Sequence, residues 1–314
     1  MFRKLAAIFL IGTSLFGQVK IDPTLKSYTV VSGISGNLNS VGSDTLNNLM
    51  TFWAEGFNKK YPNVKIQVEG KGSATAPPAL AAGTAQLGPM SRPMKAEELE
   101  VFEKKFGYKP TLIAVSIDAL AIFVHRNNPI KEISVEQADA IFSRTRLKGN
   151  SSIEDWSDVT KFKGVISVYG RNSASGTYGY FKEQVLNKGD FKDTVKEQPG
   201  SSSVVQGVEN DRFGIGYSGV GYMTSGVKVL NVGQKDRYYG EAFAPTYKNA
   251  LNGKYPISRF LYIYVNKNPE KPLDPLVKEF IIYILSQEGQ DIVVKDGYYP
   301  LPGKISEKEL KKVQ

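Results

Sequence analysis

Residues 165–177 of the 314-residue chain read VISVYGRNSASGT. The first five, Val165–Tyr169, predict a β-strand. The residues that follow, Gly170–Thr177, are small or polar apart from one arginine, and they lead into a helix predicted at about residues 177–186. This succession of strand, loop and helix is typical of α/β proteins, in which helices pack on the faces of a sheet.

The rest of the chain alternates strands and helices in the same way. In residues 45–60, apolar side chains recur every three or four positions and form one stripe on a predicted helix. Further helices are predicted at about residues 73–82, 95–106, 134–142 and 275–285. Further strands are predicted at about residues 64–68, 111–124, 214–217 and 260–265. The sequence therefore predicts an α/β fold.

The size and charge of the chain restrict its organisation and its partners. Its 314 residues exceed what one hydrophobic core usually serves, so we expect two domains. The formal net charge of +9 favours attraction to anions, but it does not choose among nucleic acid, a membrane surface and a small oxyanion. Lysine runs such as Lys59-Lys60 and Lys311-Lys312 are short and scattered. They are typical of solvated faces, and we expect no nucleic-acid partner.

The residue types that the chain contains limit its catalytic chemistry. There is no cysteine and one histidine, His125. This composition excludes disulfides, thiolate catalysis and cysteine-based metal sites, and it restricts any Ser-His pair to His125. Because His125 follows an apolar run, we interpret it as a structural residue at a strand end. We therefore expect no enzyme activity, no cofactor and no metal.

The first seventeen residues have the pattern of a targeting segment. Two basic residues precede an almost wholly apolar run, residues 5–16, and the small residue Gly17 follows. This order predicts a secretory signal peptide of residues 1–17, and the run is too short for a comfortable membrane span. Residues 18–37 would form a leader into the fold. We expect the mature protein to be exported, soluble and not membrane-spanning.

Three segments place small hydroxyl and glycine residues just before a predicted helix: Gly42–Leu46, Gly70–Ser73 and Ser175–Thr177. The first N–H groups of a helix have no partner within it, and the helix dipole favours negative charge there, so such ends bind anions. Any one of these segments alone is typical of an ordinary helix cap. The three together with Arg171, whose guanidinium offers paired donors, predict an oxyanion site.

These segments also resemble the signature of a known family. The run Arg171–Thr177 is similar to the Arg-x3-Ser-Gly-Thr motif of phosphate-specific periplasmic binding proteins of ABC importers. Val41–Thr45, Gly70–Ser73 and Gly88–Pro93 resemble the family's first, second and third anion loops, and Glu288–Leu301 resembles its C-terminal end. The likeness follows chain order over nearly the whole mature chain.

The resemblance implies an α/β fold of the two-lobed periplasmic-binding-protein class, type II, with mixed sheets flanked by helices and two hinge strands. Lobe I would consist of residues 38–122 together with 258–314, and lobe II of residues 123–257. The chain would cross between the lobes near Ile122–Val124 and near Tyr255–Phe260. The lobes would close over the ligand like a clamp.

The resemblance also implies which residues bind the anion. Many members carry an aspartate where this chain has Ser91, and that aspartate accepts the proton of hydrogen phosphate. A serine hydroxyl can donate or accept, so phosphate remains feasible.

Members often carry a second aspartate, at the place of Ser173, that steadies the arginine. Asp44 is a candidate for either of these two aspartate roles. Arg92 is a candidate for binding the anion or for bridging the lobes. The implied ligands are Thr45, Leu46, Ser73, Ser91, Arg171, Ser175, Gly176 and Thr177.

We therefore expect a monomeric, periplasmic solute-binding protein that captures inorganic phosphate and delivers it to the permease subunits of an ABC transporter. A binder of sulfate or molybdate is one alternative, because the acceptor argument is weaker with Ser91. A secreted phosphate-sensing or adhesive protein is another, since the net charge and seventeen tyrosines allow such a role. A secreted phosphatase would need a nucleophile with a base or clustered metal ligands, which the sequence does not offer.

Overall fold

The computed structural model describes residues 19–314, so the predicted signal peptide, with its cleavage after Gly17, lies outside the described residues. The strands in this range are β1 (Gly36–Val41), β2 (Val64–Glu69), β3 (Gly88–Met90), β4 (Thr111–His125), β5 (Glu132–Ser134), β6 (Ser167–Arg171), β7 (Lys196–Gln198), β8 (Gly214–Gly219), β9 (Val227–Val229), β10 (Asn231–Gly233) and β11 (Ser258–Val265). The α-helices are α1 (Asn47–Asn58), α2 (Ala76–Ala82), α3 (Ala96–Phe106), α4 (Val135–Phe142), α5 (Gly176–Gln184), α6 (Ser201–Glu209), α7 (Tyr247–Leu251), α8 (Pro275–Ile284), α9 (Gln287–Lys295) and α10 (Gly303–Leu310).

The long strand β4 is shared by the two halves of a seven-stranded sheet with the order β3-β11-β4-β8-β6-β7, in which β9 also pairs with β4. Its first part, Thr111–Ala119, pairs antiparallel with β11, and from Leu120 onward it pairs antiparallel with β8. Parallel pairing of β6 with β7 and β8 makes the sheet mixed, which confirms the predicted fold class.

The change of partner on β4 lies just before the crossing predicted at Ile122–Val124, and β11 begins inside the crossing predicted at Tyr255–Phe260. A strand buried on both faces reads as one continuous apolar run, so its sequence does not mark where the partner changes. The lobe boundaries remain a prediction. Below, lobe I and lobe II denote the residue sets defined above.

Buried contacts fix one of the predicted helices in each lobe. The apolar stripe of α1 is buried, and within it the Trp53 indole N–H donates to the Gly289 carbonyl at 2.8 Å. In lobe II, Phe181 of α5 stacks on Tyr217 of β8 with ring centroids 4.0 Å apart. Because α5 is fixed to the sheet in this way, the loop between Arg171, at the end of β6, and the start of α5 is held between two fixed elements.

Several elements differ from the sequence prediction. The leader residues Gly36 and Asn37 belong to β1, and the earlier leader residue Tyr28 is buried, with its hydroxyl bonded to Glu279 at 2.8 Å. The strand predicted at residues 165–169 lies at Ser167–Arg171, where it pairs with β8. Helix α6 was not predicted, because its start has three serines after Pro-Gly, a composition typical of a loop.

No helix among residues 19–314 is both long enough and apolar enough to cross a membrane.

Candidate anion-binding site

The three predicted anion segments meet between lobe I and lobe II. The first two begin with a single 3-10 turn, Asp44–Leu46 and Ser73–Thr75, that continues into α1 and α2, whereas the third begins directly as α5. The hydroxyls of Thr45 and Thr177 lie 2.8 Å apart across the two lobes. The predicted helix starts therefore form one polar cluster, although two of them are wound more tightly than the α-helices predicted there.

Glycines allow these loops to come close together. A Cβ on Gly176 would lie 2.5 Å from Ser91 Oγ and still closer to Ser73 Oγ. Gly72 has a φ of 120°, in the region that favours glycine, and a Cβ there would lie 2.6 Å from the carbonyl oxygen of Ala174. Because Gly72 belongs to lobe I and Ala174 to lobe II, these contacts describe lobes that are closed at the cluster.

Arg171 lies in the cluster and is 2% exposed. Its Nη1 is 3.0 Å from Asp44 Oδ2 and donates to Ser201 Oγ at 2.8 Å, while Nη2 donates to the Pro199 carbonyl at 3.2 Å. Asp44 Oδ2 also accepts the Ser201 N–H at 2.7 Å. Asp44 therefore steadies the arginine, one of the two duties that the sequence left open. Arg171 Nε is buried and has no partner among the described residues.

A chain of buried serines lines the lobe I side. Ser43 Oγ donates to Ser91 Oγ at 3.1 Å, and the Ser91 N–H donates to Ser73 Oγ at 3.0 Å. The hydroxyls of Ser73 and Ser91 are 3.3 Å apart. The structure thus brings Ser91 next to the second loop, where its hydroxyl can either donate or accept, and its role as a ligand remains a prediction.

Two of the predicted ligands have partners within their own turn. Ser175 Oγ accepts the N–H groups of Thr177 at 3.2 Å and of Tyr178 at 3.3 Å, which is the ordinary role of an N-cap serine. The Leu46 N–H donates to the Ser43 carbonyl at 3.2 Å. Both residues lie in the predicted loops, and their roles as ligands remain predictions.

Arg92 has its guanidinium bound within lobe I. Both Nη atoms form 2.7 Å bonds to the Glu98 carboxylate, and Nη1 also donates to the Pro93 carbonyl at 2.9 Å. Its aliphatic stem lies beside Gly179 of α5, where a Cβ would be 3.3 Å from Arg92 Cδ. Arg92 therefore contacts lobe II through its aliphatic stem, while its guanidinium is ion-paired with Glu98 in lobe I.

Arg259 and Asp118 belong to the cluster and were missed by sequence reasoning. Arg259 donates to Asp118, to the Ser91 carbonyl and to the Thr177 hydroxyl at 2.8–3.0 Å. Complete burial raises the pKa of Asp118, and the ion pair with Arg259 opposes this rise. The sequence does contain one sign of this pair: Asp118 interrupts the apolar run of β4, and a buried carboxylate requires a partner.

The buried charges of the cluster cancel. Each of the three arginines described above is paired with one carboxylate. A bound anion would therefore be stabilised mainly by hydroxyl and backbone donors and by the helix starts, while the overall charge of +9 would attract it from a distance. Among residues 19–314, no group of three or more His, Cys, Asp or Glu side chains could hold a metal ion.

Comparisons with known proteins identify relatives of this chain. The PBP superfamily domain model matches residues 29–288. The phosphate-binding protein PstS of Pseudomonas aeruginosa is 57% identical over 299 residues, which cover 93% of this chain and 92% of that protein. A structure from Clostridium perfringens, described as a candidate phosphate ABC transporter substrate-binding protein with bound phosphate, is 27% identical. It covers 85% of this chain and 100% of its own, with a TM-score of 0.72. An ABC-type phosphate transport receptor from Vibrio cholerae has the same fold, at 23% identity and a TM-score of 0.65, over 84% of this chain and 100% of its own.

Proposed function

We propose that this chain captures inorganic phosphate between lobe I and lobe II and delivers it to an ABC permease. The proposal follows from its family, since the chain belongs to the PBP superfamily and, within it, to the family of the PstS phosphate-binding proteins. Capture would take place in the polar cluster around Arg171. The ligand would be held by reversible hydrogen bonding, because a receptor must release its cargo.

The observation that carries the proposal is a buried donor without an acceptor. Arg171 Nε has no partner among the described residues, and the same cluster holds the buried hydroxyls of Thr45, Ser73 and Thr177. A buried donor without an acceptor costs about 1–3 kcal/mol, so such a site favours a ligand rich in acceptors. A tetrahedral oxyanion supplies an acceptor in four directions, which matches donors that converge from three loops.

The chemistry of the cluster supports binding without turnover. A hydrolase acting on phosphate esters would need a nucleophile with a base beside it or a metal-bound water. His125, the one histidine, lies at the end of β4, where it pairs with Val227 of β9. The serine and threonine hydroxyls of the cluster bond mainly to one another, to backbone groups and to Arg259. We propose that the protein acts as a monomer in the periplasm, after removal of its signal peptide.

Isothermal titration calorimetry tests this function. We expect phosphate to bind the mature chain tightly, and Arg171→Ala to lower the affinity by at least about 100-fold, because it removes a buried charge-assisted donor. Arg126→Ala, which removes an exposed arginine, is the matched control and should keep the affinity within about twofold.

The same titration with arsenate, sulfate and molybdate tests the choice of anion. Absence of heat with phosphate together with clear binding of sulfate or molybdate would contradict phosphate as the substrate. Release of phosphate from an aryl phosphate by the purified chain would contradict a pure binding role.

A further inference from the structure

Arg259 contacts the binding loops and the hinge strands at the same time. Its side chain is 3% exposed. Nε and Nη2 donate to Asp118 Oδ2 at 3.0 and 2.8 Å, and Nη1 donates to the Ser91 carbonyl at 2.9 Å. Nη2 also donates to the Thr177 hydroxyl at 2.9 Å. All three guanidinium nitrogens are therefore occupied, and their partners come from β4, the third anion loop and the start of α5.

Arg259 lies where the two lobes join. It faces Asp118 across the pairing of β11 with β4, and β4 changes its partner to β8 only one residue further on, after Ala119. Asp118 Oδ1 accepts the N–H of Val220, which directly follows β8, at 3.1 Å. The ion pair of Arg259 and Asp118 therefore connects the hinge strands to both lobes.

A second set of contacts joins this position to α5. The guanidinium carbon of Arg259 lies 5.1 Å from the ring centre of Tyr180, a cation–π distance. The Tyr180 hydroxyl donates to the carbonyl of Ser258, the neighbour of Arg259, at 2.7 Å. The first two turns of α5 are thus held to the beginning of β11 through Thr177 and Tyr180.

The direction of these hydrogen bonds matters for an anion. Arginine can only donate, so the Thr177 oxygen must be the acceptor in its bond with Arg259. The hydrogen of the Thr177 hydroxyl is then available to another acceptor, and the Thr45 oxygen lies 2.8 Å away. An oxyanion in the cluster would meet a threonine that is already oriented as a donor.

We propose that Arg259 is a positioning residue for phosphate binding. It orients the Thr177 hydroxyl as a donor and ties α5 to the hinge strands, so that closing the lobes and assembling the anion loops become one event. This inference rests on the proposed function and extends it to a residue outside the loops.

Arg259→Lys is the informative variant, because it keeps a positive charge opposite Asp118 and avoids leaving a buried carboxylate unpaired. One ammonium cannot serve Asp118, Ser91 and Thr177 in the geometry of a planar guanidinium. We expect the affinity for inorganic phosphate, measured by calorimetry, to fall roughly 10- to 100-fold. Most of this loss should be a faster dissociation rate in stopped-flow experiments.

A double-mutant cycle separates positioning from general stability. In a Thr177→Val background, which lacks the hydroxyl that Arg259 orients, Arg259→Lys should lower the phosphate affinity by clearly less than in the wild-type chain, and the remaining loss reflects the contacts of Arg259 with Ser91 and Tyr180. Tyr255→Phe is the matched control: this hinge residue is 1% exposed and its hydroxyl donates to the Leu120 carbonyl at 2.8 Å. It should lower the melting temperature and leave the affinity within about twofold.

Three results would overturn the inference: wild-type affinity in Arg259→Lys, additive losses with Thr177→Val, or an equal loss in Tyr255→Phe. In each of these cases the wild-type chain still binds phosphate, and the proposed function stands. If the wild-type chain bound no phosphate, the proposed function would fail and this inference would fail with it.

Discussion

Asp44 and Arg171 form the ion pair on which the geometry of the site depends. Asp44 of lobe I occupies Nη1 and also accepts the first N–H of α6 in lobe II, so the guanidinium is held in one orientation when the lobes are closed. Because the pair is neutral as a unit, selectivity would depend on the number and direction of the donors more than on net charge.

Gly176 gives a prediction about closure. In Gly176→Ala the new methyl group would overlap the hydroxyls of Ser73 and Ser91 whenever the lobes are closed. Overpacking of this kind costs about 1–3 kcal/mol, so calorimetry should show phosphate affinity reduced roughly 5- to 150-fold. The unfolding free energy in the absence of ligand should change little, because alanine is well accepted at the start of α5.

Gly179→Ala is the control for this variant. Gly179 lies in the same helix, and a Cβ there would approach only the flexible stem of Arg92, at 3.3 Å. Its phosphate affinity should remain within about twofold of wild type. If both alanine variants bound phosphate with equal affinity, the close approach of Gly176 to Ser73 and Ser91 would not be needed for binding, and the prediction would be wrong.

Local sequence could predict individual donors better than their long-range partners. Thr45, Ser73 and Arg171 stand next to glycines and helix starts, and these patterns are visible within a few positions. Asp118 and Arg259 are 141 positions apart, and nothing local in β4 or β11 announces that they pair. An ion pair across two strands depends on register, which tertiary structure determines.

Among the elements, the turns that begin α1 and α2 show what periodicity can and cannot predict. The sequence correctly predicted both helices, the first from its apolar stripe, but the first turn of each is a 3-10 turn closed by bonds such as Leu46 N–H to the Ser43 carbonyl, at 3.2 Å. A stripe at every third or fourth position fits either winding, so the tighter turn could not be predicted. Helix α6 was missed for a different reason, its loop-like start.

The end of α9 gives a prediction about pH. Asp296 follows this helix, its Oδ2 is buried without a partner among the described residues, and burial raises its pKa to about 7. In the unfolded chain the pKa of an aspartate is about 3.9, so between these two pH values the folded state keeps a proton that the unfolded state has lost. Stability should therefore fall as the pH rises from about 4 to about 7, and the full penalty should remain above that range.

Asp296→Asn removes this titration. The melting temperature of the variant relative to wild type should rise by about 2–4 °C between pH 5 and pH 8, equivalent to about 1 kcal/mol after allowing for the partial exposure of the carboxylate. Asp291→Asn, which replaces an exposed residue of the same helix, is the control: its melting temperature should differ from that of the wild type by the same amount at every pH in this range. A constant difference for Asp296→Asn as well would contradict the prediction.

For the molecule as a whole, the α/β class and the mixed sheet could be predicted, whereas the way the sheet joins its halves could not. The run Thr111–Val124 reads as one buried strand, and β4 is indeed one strand. Its first part belongs with β11 and its last part with β8, so a single strand links the two groups of anion loops.

The most direct test of anion binding in the polar cluster is a crystal structure of the mature chain grown with arsenate, an analogue of phosphate whose anomalous signal locates the bound anion. We expect one strong arsenic peak enclosed by the closed lobes, within hydrogen-bonding distance of Arg171 and of the hydroxyls of Thr45, Ser73 and Thr177. A fully occupied arsenate elsewhere, with this cluster still bonded only to itself, would contradict it.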